Sequence, residues 1–229
     1  IEKTTGEKLD VVWNLTLAAN AISANVEYGQ IAEIEKVPGV KRVYVEDRYD
    51  PAVVNTELEA DPNMSTSSSM IGTSAAYASG YTGAGSRIAV IDTGIDTDHQ
   101  SFDAGAFDYS LEEQASNAGK TVADYHLLNP AEINRVMDQL HVTGVTSDQL
   151  YVNSKIPFGY NYVDDDLDIT HDNDTQGEHG SHVEGIAAAN AYIPDGNGGY
   201  DHAIPSVFVQ GVAPDAQIIA MKVFGKNGG

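Results

Sequence analysis

Two short segments of the sequence place an acid and a base where each could take part in chemistry. Asp92 directly follows the apolar run 88–91 and precedes Thr-Gly, a pair that permits a tight turn. A carboxylate at the carboxyl end of a buried parallel strand lies at the rim where α/β sheets build their sites. His179 precedes a predicted helix, whose positive dipole end favours the neutral, proton-accepting imidazole. Taken singly, each residue also fits a simple cap of a turn or a helix.

Metal binding is a second interpretation of the segment around His179. Its histidines are three residues apart, at 179 and 182, and three acids lie nearby: Glu178, Glu184 and Asp174. Zincins place two histidines four residues apart on one helical face, so this spacing fits zinc poorly. The acidic run 164–168 could hold a hard cation through its oxygens, but it matches no EF-hand spacing, and a solvated loop explains it as well.

The elements that must position these residues follow from the hydrophobic pattern. The continuous apolar runs 88–91 and 218–221 are typical of strands buried on both faces of a parallel sheet. The small apolar segment 183–189 between them predicts a helix, which gives a strand–helix–strand unit with a right-handed crossover. Asn129 followed by Pro130 predicts the start of a further helix.

The region before residue 70 has a different pattern. A strand is predicted at 11–17, a helix at 28–36 and a half-buried strand at 40–45, which together form a small α+β unit. The polar, acidic stretch 57–69 cannot bury much surface and predicts a linker, although an ordered surface loop would have the same composition.

Composition excludes several classes of function. The 12 basic and 34 acidic side chains give a net charge of −22, so the chain offers no basic face for nucleic acid or for an anionic membrane surface. No apolar run approaches the ~20 residues that span a bilayer, so no membrane-spanning segment is expected. The absence of cysteine excludes a disulfide scaffold, a thiolate metal site and a cysteine nucleophile.

Taken together, the motifs resemble those of the subtilisin-like serine peptidases. The family patterns are Asp-(Ser/Thr)-Gly-Ile-Asp, His-Gly-Thr-His-Val-Ala-Gly and Gly-Val-Ala-Pro, and the matching segments here are 92–96, 179–185 and 211–214. Segments 155–162 and 220–224 look more like the lactocepin-type branch of cell-envelope proteinases. The resemblance implies that Asp92 and His179 are the first two members of an Asp–His–Ser catalytic triad.

The resemblance also implies a fold and a domain organisation. Residues 77–229 are expected to form the first part of a doubly wound parallel-sheet α/β catalytic domain. Residues 1–60 resemble the small α+β propeptide that inhibits these enzymes and assists their folding, with residues 61–76 as linker and processing region. The implied protein is a zymogen, secreted or associated with the cell wall, that acts on protein or peptide substrates.

The nucleophile is expected outside this sequence. The family's Gly-Thr-Ser-(Met/Ala) lies well downstream of Gly-Val-Ala-Pro, so the resemblance places it beyond Gly229, in a companion chain or a C-terminal part. The similar segment 72–75 contains Ser74 but precedes Asp92, which is the wrong order for this family. The expected function is therefore that of a serine endopeptidase whose triad serine lies outside this sequence. The alternative is an inert fragment that acts as an inhibitor or a folding module.

Several positions depart from the family pattern. Glu184 replaces a small alanine and is expected to need an exposed or paired environment. Insertions are expected at about 103–154 and 190–210. Ser101 stands where many relatives have a calcium-binding aspartate, and the second insertion interrupts the loop that supplies other ligands. Catalysis is expected to need no cofactor, and the position of any calcium or other metal site is left unknown.

Overall fold

The computed structural model describes five stretches of the chain: residues 1–6, 8–15, 20–46, 64–172 and 177–225. The chain divides into two compact units, residues 1–48 and 49–229. The predicted domain boundary at residue 60 and the start of the predicted linker lie outside the described residues.

The first unit contains a β-hairpin and short helices. Helix α1 spans Glu2–Thr5, and strands β1 (Asp10–Leu15) and β2 (Ala21–Asn25) pair antiparallel. The predicted helix at 28–36 is confirmed in a shorter form, as a 3₁₀ turn at Tyr28–Gln30 that leads directly into α2 (Ile31–Ile34). The predicted strand at 11–17 is confirmed up to its last two residues, which lie outside the described part.

The predicted half-buried strand at 40–45 is wrong. Within the described residues this segment pairs with no strand, and Tyr44 and Val45 are exposed. The backbone N–H of Val43 instead donates to Oε1 of Glu35 at 3.4 Å. Alternating apolar residues form a strand only where a partner supplies ladder hydrogen bonds and cover for one face, and the described residues supply neither to this segment.

The helices of the second unit are α3 (Met64–Ile71), α4 (Thr73–Ala78), α5 (Ala104–Asn117), α6 (Pro130–Asn134), α7 (Ser147–Leu150), α8 (His179–Ala188) and α9 (Ala203–Val207). The described part of the predicted linker is therefore helical, although α3 buries little of its surface. Helix α6 begins as predicted, because Oδ1 of Asn129 accepts the backbone N–H groups of Ala131 and Glu132. In the described part of the chain, no helix has the length and apolar character needed to cross a bilayer.

The strands of the second unit are β3 (Arg87–Asp92), β4 (Phe158–Asn161), β5 (Tyr192–Pro194), β6 (Tyr200–His202) and β7 (Gln217–Lys222). Strands β3, β7 and β4 form a parallel sheet in that order, with Ile88 opposite Ile218 and Asp92 opposite Lys222. The predicted β3–α8–β7 unit is thus confirmed. Strand β4 went unpredicted, because its four residues Phe-Gly-Tyr-Asn are too few to show a period. Strands β5 and β6 form an antiparallel hairpin inside the expected second insertion.

The central strand β7 is covered on both faces, as the sequence predicts. Ile218 and Ala220 belong to a core cluster that includes Ala188 of α8. Ile219 and Met221 pack against a second cluster on the opposite face, formed by residues Ile133, Leu150, Phe158 and Tyr160. The helical segment 103–154 supplies two of these four side chains, so the expected first insertion forms the layer on this face.

The described residues cover strand β3 on one face only, which corrects the prediction of burial on both. Ile88 packs against the core on the α8 side and Val90 is buried, whereas the side chain of Ile91 is 62% exposed. The second cluster covers β7 and β4 but does not include β3. Because alternate residues of a strand share a face, Asp92 lies on the same face as Ile88 and Val90. Asp92 therefore faces α8.

Candidate active site

Asp92 and His179 meet at the carboxyl end of β3. Nδ1 of His179 lies 2.7 Å from Oδ1 of Asp92, which is a hydrogen-bond distance. A carboxylate can only accept, so Nδ1–H donates and the lone pair of Nε2 points away from the acid. The imidazole is 28% exposed and the carboxyl 16%. A reactant can therefore reach the base, while the acid behind it is largely shielded from water.

The turn after β3 fixes the position of Asp92. The backbone N–H of Thr93 donates to Oδ1 of Asp92 at 2.7 Å, so this oxygen accepts from both the turn and the imidazole. The buried hydroxyl of Thr93 accepts the backbone N–H of Gly180 at 2.9 Å and donates to the carbonyl of Gly177 at 3.2 Å. One threonine thus ties the end of the strand to the beginning of α8.

Small residues let the helix and the turn approach each other at backbone distance. Gly94 has a φ of 112°, a conformation that glycine adopts readily and other residues rarely do. A Cβ added at Gly180 would collide with the carbonyl oxygen of Gly94. Ser181 adds a hydrogen bond to this contact, because its Oγ accepts the backbone N–H of Asp96 at 2.8 Å. His179 reaches Asp92 because the residue after it has no side chain.

We expect a G180A variant to lose ~1–3 kcal/mol of folding free energy, since the added methyl overpacks a backbone contact. The matched control is Gly185→Ala on the same helix, where an added Cβ meets nothing within 4 Å. That control should gain up to ~1 kcal/mol from helix propensity. Urea unfolding of both variants measures the difference. Equal stability of the two variants would contradict the close approach of α8 to the turn.

Glu184 does not have the exposed or paired environment expected from the sequence. Its side chain is 1% exposed, and its Oε2 is buried without a hydrogen-bond partner. Burial, and to a lesser degree the charge of Asp92, raise the pKa of Glu184 to about 9. A protonated carboxyl needs no counter-charge. The expectation was wrong because it assumed that the acid is ionised.

The structure does not bring Ser74 to the Asp92–His179 pair. Ser74 is exposed on α4, and the hydroxyl of Tyr77 on the same helix donates to the carbonyl of Gly211 at 2.9 Å. Gly211 in turn packs against Ala188, the last residue of α8. His179 is the first residue of α8, about 14 Å away at 1.5 Å per residue. Helix α4 is thus anchored at the opposite end of α8 from the base.

The zinc interpretation finds no geometric support among the described residues. No three His, Asp or Glu side chains gather there in a group that could hold a metal ion. His179 is turned towards Asp92, whereas His182 is exposed. Glu178 is also exposed, and Asp174 lies outside the described residues.

The acidic run 164–168 forms a turn that is held by hydrogen bonds from residues of β4. The hydroxyl of Tyr160 donates to Oδ1 of Asp165, and the amide of Asn161 donates to Oδ1 of Asp166 at 3.0 Å. These contacts explain the acids as part of the local fold.

Ser101, which stands where many relatives have a calcium-binding aspartate, is part of the local hydrogen bonding. Ser101 is buried, its carbonyl accepts the backbone N–H of Asn190 at 2.8 Å, and its own N–H donates to Nδ1 of His99 at 3.2 Å. These bonds account for Ser101 as a link between the turn after β3 and the segment after α8.

A buried polar cluster near the sheet escaped the sequence analysis. Lys155 is fully buried, and its Nζ donates to the carbonyls of Pro214 and Ala216 at 2.8 Å each. Burial lowers the pKa of Lys155 to about 7 and raises that of Asp215, which accepts the hydroxyl of Ser110 at 2.6 Å. The one available signal was a lysine directly before the apolar Ile-Pro-Phe. The cluster joins the segments that lead into β4 and β7.

Comparison with known proteins agrees with this geometry. Residues 83–229 match the sequence model of the subtilase family, a range that contains both Asp92 and His179. The chain is 31% identical over 225 residues to the PI-type and PII-type proteinases of Lactococcus lactis subsp. cremoris. It is 27% identical over 220 residues to the minor extracellular protease Vpr of Bacillus subtilis (strain 168).

The alignments cover most of this chain but a small share of each relative. The lactococcal proteinases align with 97% of this chain and Vpr with 91%, whereas the chain spans 9% and 19% of their respective lengths. The resemblance drawn from the three motifs is confirmed, and the lactococcal relatives agree with the branch indicated by segments 155–162 and 220–224. A family match over well over half of the chain, on a parallel α/β sheet, shows that the chain belongs to the subtilase family.

Proposed function

We propose that this chain carries the acid–base pair of a serine endopeptidase, with His179 as general base and Asp92 as its orienting acid. The observation that carries the proposal is the 2.7 Å hydrogen bond between Nδ1 of His179 and Oδ1 of Asp92. That bond fixes the tautomer whose Nε2 can accept a proton. Nε2 takes the proton of a seryl hydroxyl as the oxygen attacks the peptide carbonyl, and the imidazolium then protonates the leaving amine.

The serine and its surroundings are proposed to come from outside residues 1–229. A companion chain or a further part of the same polypeptide would supply the seryl oxygen, the donors that stabilise the oxyanion and the pocket for the substrate side chain. Asp92 stabilises the imidazolium that forms during attack, and the acyl-enzyme is released by water in a second, similar step. The substrates are peptide bonds of proteins or peptides.

The first unit is proposed to act as the propeptide, and the protein to work outside the cell or at its wall. The separation of residues 1–48 as a compact unit supports the first point. The relative Vpr, which is named a minor extracellular protease, supports the second. Residues 61–76 would contain the processing region between propeptide and catalytic part.

A serine-directed phosphonofluoridate tests the proposal on the purified protein. The mass of every denatured polypeptide is measured before and after labelling, and the labelled peptide is then mapped. We expect one label on a Gly-Thr-Ser-(Met/Ala) serine outside the 24.4 kDa chain, and loss of that label in an H179A variant. An S74A variant is the control and should label as the wild type does.

Two results would overturn the proposal. A label on Ser74 would place the nucleophile before Asp92 and contradict the family order. If the 229-residue species is the only polypeptide and takes no label, the chain is an inert fragment. Its function would then be that of an inhibitor or folding module.

A further inference from the structure

Glu184 lies on the buried face of α8, directly opposite the strand that carries Asp92. The buried residues of this helix are Gly180, Glu184 and Ala188, spaced four apart and therefore on one face. Gly180 contacts the turn after β3, and Ala188 belongs to the core cluster. The carboxyl of Glu184 is enclosed between these two contacts, with 1% of the residue exposed.

The surroundings of this carboxyl favour its neutral form. Its Oε2 has no hydrogen-bond partner, and an ionised carboxylate without partners is strongly disfavoured in a buried place. Asp92 faces α8 from β3, and its negative charge acts on Glu184 in the same direction as burial. Two carboxyl groups that share an enclosed region do not both ionise readily.

The pKa of Glu184 is raised with the other charged groups of the packed elements in place. On β3, Arg87 lies at the end opposite Asp92. On β7, the amine of Lys222 donates to the carbonyl of Thr170. On α8 itself, His179 donates to Asp92 and His182 is exposed.

We propose that Glu184 is a positioning residue for the Asp92–His179 pair: a buried carboxyl on the β3 side of α8 that, in its protonated form, adds no second negative charge beside Asp92. This inference rests on the proposed function of that pair. Loss of the Glu184 proton would place a second negative charge on the sheet side of α8. That charge would favour the imidazolium over the neutral base and would draw water into the contact between α8 and β3. The pH at which Glu184 loses its proton would thus be the highest pH at which the Asp92–His179 pair keeps this geometry.

NMR titration of the His179 ring in the full 229-residue chain tests this inference. In the wild type, the ring signals should show a second inflection near pH 9, where Glu184 loses its proton. In an E184Q variant, a neutral isostere, this inflection should be absent and the main titration midpoint of His179 should stay unchanged. An E184A variant, which restores the small residue of the family pattern, should also lack the inflection. It serves as the second test if the glutamine of E184Q does not fit the buried site.

The exposed neighbour supplies the matched control. An E178Q variant removes an acid that is 78% exposed and adjacent in sequence to His179, and it should retain the alkaline inflection. The inference is overturned if the inflection survives in E184Q, or if E184Q lowers the main midpoint by ~1 pH unit, because Glu184 would then be charged at neutral pH. The titration needs no catalytic serine, so it fails or succeeds independently of the labelling test for the peptidase.

Discussion

In a protein that includes the nucleophilic serine, a D92N substitution is expected to lower kcat for peptide hydrolysis ~10⁴-fold and to leave KM little changed. The reason is the tautomer of His179. An asparagine amide can donate to Nδ1, and the proton of the imidazole then moves to Nε2. The nitrogen that must accept the seryl proton is thereby blocked. Loss of the imidazole itself, in an H179A variant, is expected to lower kcat by ~10⁶, as in subtilisin.

The measurement is kcat and KM for a chromogenic peptide, on variants whose fold is checked by circular dichroism. Asp96→Asn provides a control within the same Asp-Thr-Gly-Ile-Asp motif. The side chain of Asp96 accepts the backbone N–H of Asp98 at 3.2 Å, a local turn contact, and the N–H of Asp96 itself donates to Ser181. Its replacement should leave kcat within about tenfold of the wild type, well short of the D92N loss. A D92N variant that retained most of its kcat would contradict the role of Asp92.

A K155M variant is expected to lose ~2–4 kcal/mol of folding free energy, by the cost of buried unsatisfied polar groups. Methionine has a similar length but no donor, so the carbonyls of Pro214 and Ala216 lose the bonds that Nζ makes to them. Asp215 loses a positive charge that lowers its pKa. Urea unfolding measures the loss. The K120M variant is the control, because Lys120 is exposed and should change stability by less than ~0.5 kcal/mol.

The loss in K155M should depend on pH. The pKa of Lys155 is about 7 in the folded chain and 10.5 when unperturbed, so the unfolded chain binds the extra proton between these values. The contribution of Lys155 to folding stability is therefore fully present above pH 10.5 and is lost as the pH falls through 7. The difference between wild type and K155M should widen as the pH rises from 7. A constant difference would contradict the burial of an amine with a lowered pKa.

Titration of Glu184 changes the folding stability in the opposite direction, over a pH range that overlaps that of Lys155. Its folded pKa of about 9 lies above its unperturbed value of 4.5, so its contribution is complete below pH 4.5 and is lost as the pH rises through 9. Each group changes stability by ~1.4 kcal/mol per pH unit where it is active. Between pH 7 and 9 the two slopes oppose each other. The contributions of these two groups should thus nearly cancel there, and each single substitution should expose the slope of the other group.

The Asp92–His179 pair and its crossover unit could be predicted because their sequence motifs are local. An apolar run that ends in Asp92, and a glycine and a serine directly after His179, each describe their own surroundings. The right-handed crossover places the helix on one face of the sheet. The expectation that Asp92 and His179 form a pair came from the resemblance to the subtilisin-like peptidases. The assignment of residues 1–60, 61–76 and 77–229 to propeptide, processing region and catalytic part stays a prediction.

The features that sequence analysis missed depend on what packs opposite them. Segment 40–45 has the alternation of a strand but no partner that would make it one. Ile91 looks like a buried strand residue, yet the helices of the second face do not reach it. Lys155 and Glu184 look like surface residues, and both are buried because neighbouring elements enclose them. Such outcomes are set by contacts between residues far apart in sequence, which a local pattern does not contain.

Strand β3 has consequences for the behaviour of the chain in solution. Its outer edge pairs with no other described strand, and Ile91 is exposed on its uncovered face. An apolar edge of this kind is a template on which a second molecule can add a strand, the first step of aggregation. Repulsion between copies that each carry a net charge of −22 opposes that encounter. Salt screens such repulsion beyond ~10 Å at 0.1 M, so a rise in ionic strength should shorten the time for which the chain stays dispersed.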